Sequence, residues 1–137
     1  MLYLHYDSPH IHYAISLNYG SSFTVHVENG MKYVVLQERA DKTLFVLNFA
    51  VQSIGNLASI TCISPISVNK GFSYELFACK GNNSIKLESL TECMPRWSEH
   101  IPCGEFLLVP SDFLDNHSLH VRIWRFDSFD FKKCLER

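Results

Sequence analysis

Hydrophobic and polar positions alternate along most of the chain, and helical spacing is scarce. Tyr13, Ile15 and Leu17 alternate with Ala14 and Ser16, then Phe23, Val25 and Val27 with Thr24 and His26. Successive strand side chains point to opposite faces, so this period of two predicts strands with one face packed and one solvated. Gly20-Ser21 between the two runs predicts a hairpin turn. Asn29-Gly30 marks a turn before Tyr33-Val34-Val35-Leu36, and Ala40-Asp41-Lys42 breaks that run. Leu44 to Val51 is almost continuously apolar, with aromatic and β-branched residues, which predicts a central strand covered on both sides. Ile54-Gly55-Asn56 then turns the chain into Ala58 to Ile63, with Ile60 and Cys62 on one face.

Pro65 and Asn69-Lys70-Gly71 punctuate again before Phe72, Tyr74 and Leu76, which alternate with Ser73 and Glu75. Gly81-Asn82-Asn83 leads into Ile85 and Leu87, predicting a hairpin. Thr91 to Gly104, with Pro95 and Pro102, is the longest irregular stretch, and Pro110 to Leu114 predicts a single helical turn capped by Ser111. Leu119, Val121 and Ile123 alternate with His120, Arg122 and Trp124. Eight short strands separated by turns predict an all-β, antiparallel eight-stranded β-sandwich. Phe126, Phe129, Phe131 and Leu135 stand among charges in the last dozen residues, which leaves two roles open, capping the sandwich or serving a partner.

A chain of 137 residues predicts one domain, 1–137, with a core over about 12–126 and a C-terminal tail over 127–137. Hydrophobic residues at 47% and charged residues at 19% argue against intrinsic disorder. A formal charge of -2 argues against direct nucleic-acid binding and against anionic membranes. No apolar run is long enough for a membrane helix, and Met1 to His5 lacks the features of a signal peptide. The five cysteines, Cys62, Cys79, Cys93, Cys103 and Cys134, are odd in number, widely spaced and without a Cys-x-x-Cys pair. Reduced thiols in a cytoplasmic or nuclear protein fit that pattern better than a secreted disulfide scaffold. Cys62 and Cys79 lie in apolar runs and read as small buried hydrophobes.

Candidate chemistry is sparse. His10 and His12, with His5 upstream, would share one side of a strand, but a third ligand is missing from the pattern. Cys93 and Cys103 flank His100, the one local arrangement of nucleophile and base. No phosphate-binding glycine motif occurs, and Asp41, Glu75, Glu88 and Glu105 are scattered singly. The sequence therefore predicts no catalytic, cofactor-binding or metal-ligating residue, no cofactor, and a binding module rather than an enzyme. His120, Arg122 and Trp124 face away from Leu119, Val121 and Ile123, and tryptophan beside arginine is the composition of an interface anchor. Burial of Trp124 under the aromatic tail is the competing reading. Trp97, in the Met94-Pro95-Arg96-Trp97 loop, is a second candidate anchor, and a free sheet edge could accept an extended peptide.

The order of several motifs resembles a known family. The run Asn29 to Glu38 is similar to a strand with a glycine, an aromatic and aliphatics ending in Glu. Leu44 to Gly55 is like the family's aromatic-rich strand closing on a glycine. Phe72-Ser73-Tyr74-Glu75-Leu76, Gly81, Leu87, Pro95-Arg96 and Asn116 to Ile123 follow in order. Over roughly residues 20 to 125, this succession resembles the C-terminal substrate-binding domain of seven-in-absentia (Sina/Siah-type) ubiquitin ligases. The resemblance implies a TRAF-like β-sandwich that homodimerises and recognises a partner protein or an extended peptide. Family ligases carry a RING domain and two zinc fingers ahead of this domain. Any ligase activity would need that RING, which this chain lacks, so it is either a fragment of a longer ligase or a divergent relative kept as a scaffold. The family's tryptophan-methionine pair is missing from Gly20 to Val25, and the alternation of Tyr13, Ile15, Phe23 and Val25 points to packing. Two alternatives remain. One is a structural subunit that buries the Trp124 face in a larger assembly, and the other is a small metal- or thiol-dependent enzyme.

Overall fold

The computed structural model describes residues 14–28, 30–63, 70–94, 105–110, 112–113 and 118–127. They form ten strands and no helix: β1 Ile15–Leu17, β2 Phe23–His26, β3 Tyr33–Glu38, β4 Leu44–Gln52 and β5 Gly55–Ile63, then β6 Lys70–Lys80, β7 Asn83–Leu90, β8 Glu92–Met94, β9 Leu107–Pro110 and β10 Ser118–Asp127. One sheet runs β1-β3-β4-β5, with β8 and β9 sharing the far edge of β5, and the other runs β2-β10-β6-β7. The architecture is the all-β sandwich that the alternation predicts, with two more strands than the eight read from the sequence. The additions, β8 and β9, fall in or beside the stretch expected to be irregular. They are three and four residues long, and it is pairing with β5 rather than alternation that makes them strands.

Most pairings are antiparallel, as expected, but β1 with β3 and β5 with β8 are parallel. Each parallel pair brackets an excursion into the opposite sheet: β2 in the first case, the β6–β7 hairpin in the second. Parallel neighbours need such a crossover, because a tight turn can only reverse the chain. For the same reason the hairpin expected at Gly20-Ser21 is absent. The chain bends there, with Gly20 at φ +80, but it passes from one sheet to the other. The Gly20 N–H donates to the Ile123 carbonyl at 2.8 Å, fixing the crossing onto β10.

Hairpins form at β4–β5, where the sequence predicts a turn, and at β6–β7, where it predicts a hairpin. In the second, Gly81 and Asn82 link Lys80 to Asn83, and the positive φ of 59 at Gly81 suits the first central position of a tight hairpin. Of the helical turn expected from Pro110 to Leu114, the cap Ser111 and Leu114 lie outside the described residues. The Phe113 N–H donates to the Pro110 carbonyl at 3.0 Å, while Asp112 has φ 67, outside the right-handed helical region.

The inner faces meet in one core. Leu36, Phe45, Leu47, Ile60 and Cys62 come from the first sheet, and Val25, Tyr74, Leu76, Leu119, Val121 and Ile123 from the second. Ile15 and Phe23 pack against this core and Val25 lies in it, the packing roles their alternation predicts. Across the layers Phe45 and Phe72 meet edge to face with centroids 5.1 Å apart, and Tyr19 stacks on Phe72 at 6.0 Å. β4 is central and covered on both sides, as its apolar run predicts. Phe45 and Leu47 enter the core, while Val46 and Asn48 are buried on the opposite face, where the Asn48 amide donates to Thr61 Oγ1 at 2.9 Å. Cys79 departs from its expected burial. Ala78 takes the inward position on β6, and Cys79 is half-buried on the outer face.

Candidate partner-binding surface

β10 is an inner strand of the four-stranded sheet, held between β2 and β6. Leu119, Val121 and Ile123 are buried in the core, so the pleat sends His120, Arg122 and Trp124 to the outer face. All three are half-buried there. Pairing with β6 sets Phe77 opposite His120, Glu75 opposite Arg122 and Ser73 opposite Trp124. β7 then adds Lys86 beside Phe77 and Glu88 beside Glu75.

Specific contacts knit this face together. The Arg122 guanidinium lies over the Trp124 ring, 5.3 Å from its centroid, a cation–π arrangement. His120 and Phe77 have ring centroids 5.7 Å apart. Glu75 and Glu88 are direct cross-strand neighbours, and like charges so placed repel. Lys86 relieves this, its Nζ 3.7 Å from Glu75 and 3.3 Å from Glu88. A β-carbon added at Gly20 would come within 4.0 Å of Trp124 Cδ1, so the crossing turn borders the indole. Arg122 Nε is shielded from solvent and has no hydrogen-bond partner.

Structure and sequence agree on the facing of His120, Arg122 and Trp124. Trp97 lies outside the described residues, as do His5, His10 and His12. Cys93 is on β8 and exposed, whereas His100 and Cys103 lie outside the described residues. Among the described residues no three His, Cys, Asp or Glu side chains converge as a metal site would require. No described helix is long and apolar enough to cross a membrane. The residues that sequence reasoning passed over are Phe77 and Lys86. Phe77 carried a usable signal, being a large aromatic out of phase with Phe72, Tyr74 and Leu76.

A second cluster ties one end of the sandwich together. The Tyr19 hydroxyl donates to Asp41 Oδ2 at 2.9 Å, and Arg125 reaches the same oxygen at 3.2 Å. The turn that carries Asp41 is built on Glu38, whose carboxylate accepts the Ala40 and Asp41 N–H groups. All its members are engaged with one another, so the cluster reads as a brace.

No known protein-family model matches the chain, and no curated protein does.

Proposed function

We propose that this chain is a non-catalytic interaction domain that engages a partner protein or extended peptide and self-associates as a homodimer. In this reading it acts as an adaptor or substrate-recognition element of the ubiquitin pathway, as the Sina-type, TRAF-like resemblance implies. Its place is the cytoplasm or nucleus, which keep thiols reduced. The observation that carries the proposal is the Arg122–Trp124 pair on the outer face of a sheet whose other face is a filled core. A planar guanidinium laid on an indole, flanked by Phe77 and His120, has the composition of binding hot spots. Its half-buried state lowers the further desolvation needed when a partner docks.

The test is capture from native cell extract with the tagged chain, comparing wild type, Trp124→Ala and Arg122→Ala by quantitative mass spectrometry. One dominant partner should be recovered, with both variants retaining at most about a tenth of it, as loss of a hot-spot residue implies. Sedimentation of the purified chain should show a dimer. Equal recovery with all three proteins would remove the interface from this face. A monomer with no recovered partner would overturn the proposal as a whole.

A further inference from the structure

β8 is three residues long and is held to the first sheet by parallel pairing with Thr61–Ile63. That register places Cys93 directly beside Cys62. Adjacent strands lie about 4.8 Å apart, inside the roughly 4.4–6.8 Å range of Cα separations that a disulfide spans. The two cysteines are therefore cross-strand neighbours. Their environments differ sharply, since Cys62 is fully buried in the core and Cys93 is exposed. Burial first, and then the neighbouring Cys93, push the Cys62 thiol far above its ordinary range and keep it protonated. One thiol is therefore open to reagents, and the other is shielded from everything except its neighbour.

We propose that Cys62 and Cys93 are a redox couple that closes into a cross-strand disulfide when the chain meets a small-molecule disulfide. The exposed Cys93 thiolate attacks one sulfur of the oxidant, breaking its S–S bond, and the departing thiolate takes up a proton as free thiol. Cys93 is left as a mixed disulfide. Cys62 then gives up its proton and attacks the Cys93 sulfur. The Cys62–Cys93 bond forms, and the second oxidant thiolate leaves and takes that proton. Two protein thiols are oxidised and one external disulfide is reduced to two thiols. The bond fastens the short β8 edge to β5 and closes a loop containing the whole β6–β7 hairpin. This proposal stands independently of the partner-binding reading.

The experiment equilibrates the folded full chain in glutathione buffers from fully reduced to fully oxidised. Free thiols are trapped by alkylation, and the linked peptides are mapped by mass spectrometry. The expected product joins Cys62 to Cys93, reverts with dithiothreitol and raises Tm by roughly 5–10 °C through loop closure. Cys93→Ser, at an exposed position, should fold with the Tm of the reduced wild type and lose the oxidation-dependent rise. Recovery of Cys93 only as a glutathione adduct, with Cys62 still alkylated after unfolding, would overturn the proposal. So would linkage of Cys93 to Cys79, Cys103 or Cys134 in place of Cys62.

Discussion

The Asp41 carboxylate gathers stretches of chain that lie far apart in sequence. Tyr19 comes from the crossing between β1 and β2, and Arg125 from the end of β10, while Thr43 donates its backbone N–H to the second carboxylate oxygen at 2.9 Å. Burial alone would raise the pKa of Asp41. The Thr43 N–H, the Tyr19 hydroxyl and Arg125 outweigh it and hold the carboxyl below its ordinary value. Burial pushes the Tyr19 hydroxyl upward, so it stays a donor. A carboxyl whose folded pKa is depressed stabilises the fold fully above the unfolded value of about 3.9. That contribution is lost as pH falls through the folded pKa. Asp41→Asn should therefore cost on the order of 1–2 kcal/mol at pH 7. Urea unfolding at pH 7, 5 and 3 should show the gap intact at pH 5 and narrowed at pH 3. A gap of unchanged size at pH 3 would show that the carboxylate charge is not what holds these segments.

Between strands, the sharpest steric constraint is at the start of β5. Gly55 pairs with Pro110 of β9, and a β-carbon there would stand 2.8 Å from Pro110 Cα and closer still to the Val109 carbonyl oxygen. Both are backbone atoms of a paired strand and cannot swing aside. Gly55→Ala should cost about 2–4 kcal/mol, and hydrogen exchange should show the loss concentrated in β9. Gly30 supplies the control, with φ +82 and nothing within 4 Å of an added β-carbon. Gly30→Ala should cost only about 1–2 kcal/mol, from backbone conformation alone. Equal costs at the two positions would refute the steric account. Gly55 was visible in the sequence as a turn residue, but its clash with β9 was not, because β9 itself was invisible. Leu107 to Pro110 is too short to alternate convincingly and ends in proline, and its partner lies some fifty residues earlier. Long alternating runs such as Phe72 to Leu76 and Leu119 to Trp124 were legible, because each residue's facing is decided locally. The sheet to which a strand belongs is decided by crossings, and a turn signal such as Gly20-Ser21 reads the same for a hairpin and a crossing. The candidate surface divides in the same way. His120, Arg122 and Trp124 follow from one strand's period, whereas their neighbours Phe77, Glu75 and Lys86 arrive by register from distant strands.

Taken as a whole, the molecule has two unlike outer faces. On the first sheet Val35 and Val46, cross-strand neighbours, are buried although neither belongs to the sandwich core, and Asn48, Ser59 and Thr61 are buried beside them. On the second sheet the outer face stays half open and combines aromatic rings with both signs of charge. β10 is the dividing wall, with a core side and a half-open outer side along one strand. If that division is real, fold and binding must respond separately to substitutions only one residue apart. Ile123 is fully buried in the core, so Ile123→Ala should cost about 2–5 kcal/mol. Trp124→Ala removes a half-buried ring beside the Arg122 guanidinium, so its cost should be smaller, about 1–2 kcal/mol from partial burial and a cation–π contact. Chemical denaturation of the two variants measures both values directly. A Trp124→Ala loss as large as that of Ile123→Ala would make the indole a structural element. A small loss, together with intact strand signals in circular dichroism, would show that the fold does not depend on the indole and leave Trp124 free to be tested as an interface residue.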